Sequence, residues 1–341
     1  MKNLGSHTYL YIAGGGMLLV LILTAFYILS PVSRLDEVQY LYIDQDDTQD
    51  SVLAKIRPLS HTVGRTGLGM LMRHSSYDHH IHTGRYAIEP GCGALTLLRH
   101  LRNGHQASMR LTVPEARTMD CLAGLLSHKL MLDSATIAQA LTSQEKCGQY
   151  GYDTCTIAAL FVPDTYDVYW NMSVDALLAR MQQEHDRFWQ GSRRQKAAQL
   201  QLTPTEIATL ASIIDEETSN TAEKPMIAGM YLNRLRAGMP LQADPTIKFA
   251  LKQFGLRRIY HKLLDTDSPY NTYRNEGLPP GPIKVASVRG IDAVLNAVSH
   301  DYLYMCAKED FSGTHNFART YREHLDNAAR YAKALNERGV K

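Results

Sequence analysis

The N-terminal stretch of the chain carries no formal charge between Lys2 and Arg34 apart from His7 when protonated. Its apolar part, Tyr9 to Leu29, is long enough to cross a hydrocarbon core of roughly 30 Å as a helix. Tyr9, Tyr11 and Tyr27 stand where interfacial aromatics belong, and Pro31 closes the run. A signal peptide would show a shorter apolar stretch and a small-residue cleavage site, for which Ser30-Pro31-Val32 is poor. The pattern therefore predicts a tail over 1–8 and an uncleaved transmembrane helix over 9–30. Lys2 on the short side puts the tail in the cytoplasm and everything after Ser33 outside it.

Beyond the anchor the periodicity changes. Val38 to Ile43 is β-branched and aromatic, a strand, and runs into the helix-start signal Asp46-Asp47-Thr48. Val52, Leu53 and Ile56 mark a short amphipathic helix, and Gly67 to Met72 a second. Gly84 to Gly91 and Met109 to Pro114 read as strands, separated by a helix with Leu97, Leu98 and Leu101 on one face. Residues 34–115 thus form a small α+β module. Helical patterns dominate 116–200, interrupted near Gly148–Gly151 and Val162–Tyr166. The basic stretch Gly191 to Lys196 reads as a hinge before a last α+β domain over 201–341. The fold class expected is α+β.

Composition narrows the chemistry. Basic and acidic groups nearly cancel, 36 against 34, which gives no sign of a nucleic-acid binder and favours a substrate held by neutral hydrogen bonds. Five cysteines are too few for a disulfide scaffold, although Cys147 and Cys155 flank a short loop they could close. Cys306, inside an apolar run, reads as a small core residue. His74, His79, His80 and His82 lie at short spacing, but no cysteine or carboxylate nearby completes a tetrahedral set, so the expectation is a solvated loop and no metal.

The most informative segment is Leu202 to Asn220. Thr203 and Glu206 form a capping box with Pro204 in the first helical position. Ile207, Leu210, Ile213 and Ile214 make one apolar stripe, and the next turn of that stripe lands on Glu217. Asp215 and Glu216 point elsewhere, at about 100° per residue. Desolvation, acidic neighbours and the helix C-terminus all push the Glu217 pKa up. A carboxyl that keeps its proton near neutrality is what a general acid for a glycosidic oxygen requires; an acidic solvated helix end is the competing reading. Downstream, Gly- and Pro-rich turns display Gln242, Asp244, Asn271, Thr272, Tyr273, His315 and Asn316, groups suited to a sugar with acetamido and lactyl substituents. The loop Gly277 to Ile283 (GLPPGPI) fits a rigid structural loop and direct substrate contact about equally.

In order, LASIIDEET, NRLRAGMPLQADPT, SPYNTY, GLPPGPI and THNF resemble the motifs of the YceG-like (MltG-type) endolytic murein transglycosylases, most strongly over Leu210 to Phe317. The resemblance implies a LysM-like module within 34–115, a helical connecting region and a catalytic domain. It also implies that Glu217, directly before Thr218, is the catalytic acid/base; the seven turn residues are the expected substrate contacts on their own chemistry. Asp215 stands where the family often has a glutamate, and Ala116 where it usually has glycine. The implied reaction cleaves the β-1,4 bond between N-acetylmuramic acid and N-acetylglucosamine in nascent peptidoglycan, leaving 1,6-anhydro ends without metal or cofactor. The implied surroundings are the inner membrane, glycan strands and peptidoglycan synthases. Alternatives are a hydrolytic muramidase using Glu217 with Asp244, or a wall-binding scaffold without activity.

Overall fold

A computed structural model describes residues 6–34, 36–256 and 259–338. Lys2 and most of the tail expected at 1–8 lie outside the described residues. The chain falls into two compact units, residues 1–110 with 167–172, and residues 111–166 with 173–341.

In the first unit, α1 (Ser6–Leu29) is a 24-residue helix, about 36 Å long at 1.5 Å per residue. Its side chains from Tyr9 to Phe26 are exposed, and Tyr9–Leu29 is long and apolar enough to cross a membrane. The strand read at Val38–Ile43 is β1 (Gln39–Ile43). Asp47 and Thr48 lead into α2 (Gln49–Ile56), whose N-cap Thr48 forms a capping box with Ser51. There follow α3 (Thr62–His74), β2 (Gly84–Ile88) and α4 (Ala94–Arg102). β1 and β2 pair antiparallel with Leu41 opposite Tyr86. Strand alternation sends Leu41 and Ile43 into a core with Val52, Ile56, Leu68 and Leu97, and leaves Tyr40 and Tyr42 exposed. His74, His79, His80 and His82 are all exposed.

The strands β3 (Met109–Thr112) and β4 (Thr165–Val168) pair with each other. The second unit begins with α5 (Met119–Ser127), α6 (Ser134–Thr142) and α7 (Gln144–Gly148), followed by α8 (Val174–Phe188) and α9 (Ser192–Leu200). Two sequence expectations change here. The basic stretch Gly191–Lys196 is no hinge: it starts α9, and Arg193 is tied to Asp292 at 2.9 and 3.1 Å and lies 4.0 Å from the Phe188 ring. Cys147 and Cys155 are both free, because the buried Cys147 thiol turns to the carbonyls of Leu141 and Ala140.

The core of this unit is built around α10 (Pro204–Glu217), capped as its sequence foretold by Thr203, Glu206 and Pro204. An amphipathic helix was expected, yet every residue from Ile207 to Ile214 is buried. The reason is the small residues Ala208, Ala211 and Ser212 on the polar side, which let neighbouring elements close over it. Full burial of each large aliphatic contributes roughly 1.5–3 kcal/mol. An acid at the wrong helix end costs only about 0.3–1 kcal/mol, so packing sets the helix and its acidic end follows. Around it lie α11 (Lys224–Arg236), α12 (Asp244–Ala250), α13 (His261–Leu264) and α14 (Val288–Leu295). The hairpin β5 (Tyr304–Ala307) and β6 (His315–Ala318) and the final helix α15 (Tyr321–Glu337) complete the unit.

The GLPPGPI loop packs closely within the unit. None of its residues lines the cavity that holds Glu217. Ile283 N–H donates to the Ser212 hydroxyl at 3.0 Å, and a Cβ on Gly281 would strike the Cys155 carbonyl. Gly281→Ala is therefore expected to destabilise the unit by about 1–3 kcal/mol, read as a lowered melting temperature; an unchanged melt would mean the loop is free to shift.

Candidate active site

The three acids ending α10 diverge, as 100° steps require. Asp215 turns into the unit, where its carboxylate accepts from the Ser287 N–H at 2.7 Å and hydroxyl at 2.8 Å and pairs with Lys224. Ser287 is the N-cap of α14, so this charge also meets a helix N-terminus. Glu216 faces Arg117 at 2.8 Å and Lys284 at 3.4 Å. Glu217, half-buried, lines a cavity of about 660 Å³ together with residues from α11, β5, β6 and α15.

Burial pushes the Glu217 carboxyl up to about 7, with the charge of Asp244 adding to the rise. The Tyr231 hydroxyl, which donates to Glu217 Oε1 at 2.8 Å, pulls the other way, and so, more weakly, do the neighbouring side chains of His315 and Lys248. The acidic neighbours invoked from sequence thus play no part: Asp215 and Glu216 are held by their own cations, and the like charge that matters comes from α12.

The turn residues named from sequence separate into two groups. Gln242, Asp244, Tyr273 and His315 line the cavity with Glu217. Asn271, Thr272 and Asn316 do not. Asn271 is fully buried and ties its own loop together, its amide donating to the Leu264 and Thr266 carbonyls at 2.8 Å each. The Thr272 hydroxyl accepts from Ala243 N–H at 3.0 Å and meets the Thr246 hydroxyl at 2.9 Å. Alternation along β6 turns Asn316 away from His315, so its amide donates to Glu309 at 2.7 Å. These three shape the walls from behind. Cys306 also departs from expectation, lying half-buried on the cavity wall and not in the core.

Several lining residues escaped the sequence reading. Tyr231 is buried beneath Glu217. Arg234, also buried, donates to the carbonyls of Leu303 at 2.6 Å and of Pro240 and Leu241 at 3.0 Å, and to Gln242 Oε1 at 3.2 Å, which fastens the loop before α12 to β5. His324 and Tyr321 of α15 close one side, with His324 stacked on Tyr304. A usable signal existed on α11, since Met230, Tyr231 and Arg234 share one face within about 100° at 100° per residue.

Phe in place of Tyr231 removes a donor that favours the ionised carboxyl. The alkaline limb of any Glu217-dependent activity is then expected to move to higher pH, with folding retained. A pH–rate profile superimposable on that of the unaltered protein would show the bond to be idle.

A carboxyl raised to about 7 in a cavity can give a proton to a bound ether oxygen and accept one back. Known proteins resemble the chain over different lengths. Over 132 residues, 39% of this chain and 36% of that protein, it is 42% identical to the endolytic murein transglycosylase of Bacillus subtilis (strain 168). Over 349 residues, 90% of this chain and 62% of that protein, it is 23% identical to the endolytic murein transglycosylase of Streptococcus pneumoniae (strain R6). The chain therefore spans less than two thirds of the length of these relatives. A crystal structure of a YceG-like protein from Listeria monocytogenes superposes with a TM-score of 0.55 at 23% identity, covering 86% of this chain and 99% of that one, which shows a shared fold. The sequence model of the YceG-like family matches residues 41–330, and the chain belongs to that family.

Proposed function

We propose that the protein is a membrane-anchored endolytic lytic transglycosylase of peptidoglycan, with Glu217 as its single acid/base. The observation that carries this reading is a carboxyl raised to about 7 inside a 660 Å³ cavity walled by hydroxyl, amide, imidazole and aromatic groups. The names of the relatives supply the substrate class. In the reaction, protonated Glu217 gives its proton to the leaving oxygen as the bond from C1 of N-acetylmuramic acid breaks. The carboxylate then takes the proton of the C6 hydroxyl, whose oxygen bonds to C1 and closes the 1,6-anhydro ring. The substrate's own acetamido group supports the oxocarbenium-like centre, so no second carboxylate is needed. The Tyr231 hydroxyl occupies Oε1 and leaves Oε2 for both transfers.

The remaining parts of the proposal follow the chain order. The apolar helix α1 anchors the protein in the inner membrane with the rest extracytoplasmic. The module at 34–115 is LysM-like and holds glycan, 116–200 connects, and 201–341 carries the site. Peptidoglycan synthases are candidate neighbours of the anchor.

A second reading has one observation in its favour: Asp244 lines the same cavity, and its Oδ1 is held by the Tyr273 hydroxyl at 2.6 Å. A hydrolase would use it to activate water. Digesting purified peptidoglycan with the detergent-solubilised full chain and weighing the new termini separates the two. Anhydro ends support the transglycosylase, reducing ends the hydrolase, and intact glycan would leave only a wall-binding scaffold.

A further inference from the structure

Six residues after Glu217 a second buried acid, Glu223, stands at the N-terminal end of α11, where negative charge is favoured. It is absent from the catalytic scheme above. Both its oxygens are spent on one residue: Oε1 accepts the His315 backbone N–H at 2.6 Å, and Oε2 lies 3.0 Å from His315 Nδ1. A carboxylate can only accept, so Nδ1 carries a proton. The other ring nitrogen, Nε2, has no protein hydrogen bond among the described residues, and the His315 ring lines the cavity.

The rest of the lining makes that nitrogen informative. The hydroxyls of Tyr231 and Tyr273 are committed to Glu217 and Asp244, and Arg234 is committed to carbonyls and Gln242. The two tyrosine oxygens, their protons already given, can still accept, and with His315 Nε2 they make a stretch of wall suited to a ligand that brings hydroxyl donors. A purely structural Glu223 would need only the backbone bond to pin β6 against the start of α11. The bond to the ring does something further, because it selects the tautomer.

We propose that Glu223 is a positioning residue: it holds His315 with Nδ1 protonated, so that Nε2 faces the cavity as a bare acceptor for a hydroxyl of the sugar being cleaved. The inference rests on the glycan-cleaving reading above. No proton changes hands at His315; the ring aligns the hydroxyl while Glu217 does the transfers. In Glu223→Gln the carboxamide keeps an oxygen for the backbone N–H and presents its NH₂ to Nδ1, which moves the ring proton to Nε2 and turns the acceptor into a donor.

The test uses the full chain in detergent micelles, labelled with ¹⁵N-histidine, with His315 assigned by its loss in H315Q. At a pH where the ring is neutral, the expected spectrum has Nε2 unprotonated, and E223Q swaps the tautomer. Turnover of purified peptidoglycan by E223Q should fall roughly 10- to 100-fold, whereas adding E223Q to an H315Q background should cost nothing further. A proton on Nε2 in an active unaltered protein overturns this inference alone, and so does an equal loss from E223Q with and without His315. An unaltered protein that cuts no glycan overturns both this inference and the function it rests on. Should E223Q fail to fold, the tautomer of the unaltered protein still decides.

Discussion

Replacing Glu217 with Gln is expected to lower glycan cleavage by about 10²- to 10⁴-fold, the usual worth of a positioned acid/base, and to make the protein more stable at alkaline pH. Gln keeps the shape and still accepts from Tyr231, but it has no proton to give. The stability effect has a definite sign. The folded carboxyl is raised from 4.5 to about 7, so between those values the native state holds a proton that the unfolded chain has released. The protein therefore loses stability as pH rises through that window, by up to about 3 kcal/mol at 1.36 kcal/mol per unit. The Gln variant is spared this loss. Its melting temperature should match that of the unaltered protein near pH 4 and exceed it near pH 8. Equal melts at both pH values would mean that the carboxyl is solvated, and full activity in the variant would remove it from the chemistry.

Asp215→Ala should be the most damaging change to the fold itself. The Asp215 side chain is 2% exposed and its partner Lys224 8%. A buried pair adds little net stability over apolar residues, but breaking it strands the other charge, at about 3–5 kcal/mol. The same change also strips the Ser287 N–H and hydroxyl of their acceptor at the start of α14. For a unit of this size the melting temperature should fall by about 10 °C. Restoring neutrality with Lys224→Met in the Asp215→Ala background should recover part of the loss, because the unpaired ammonium is then gone. A single variant that melts like the unaltered protein would show that Lys224 reaches water when its partner is removed.

These two acids, two positions apart, mark the division between local and long-range information. The direction of Glu217 was readable because it follows from a capping box, an apolar stripe and a fixed rotation per residue, all within a single helix. The strands β1 and β2 and the cap of α2 were readable for the same reason. What Asp215 does was not, since its partner Ser287 lies 72 residues on. Cys306, Asn271, Thr272 and Asn316 mislead in a related way. Asn271, Thr272 and Asn316 sit in segments whose composition fits a site and Cys306 in one that fits a core, but which face of the turn or strand opens on the cavity depends on what packs behind it.

Local rules of spacing and capping thus settle the elements, the apolar N-terminal helix and the one glutamate that continues a buried stripe. The surroundings that set its pKa come from assembly. Tyr231 arrives 14 residues later on the next helix and Asp244 at the start of α12. Glu223 meets His315 across 92 residues. Such pairings leave no periodic trace in the chain, because they arise from the way helices with small and large residues close on one another, and a carboxyl becomes acidic or basic only in the company that closure brings.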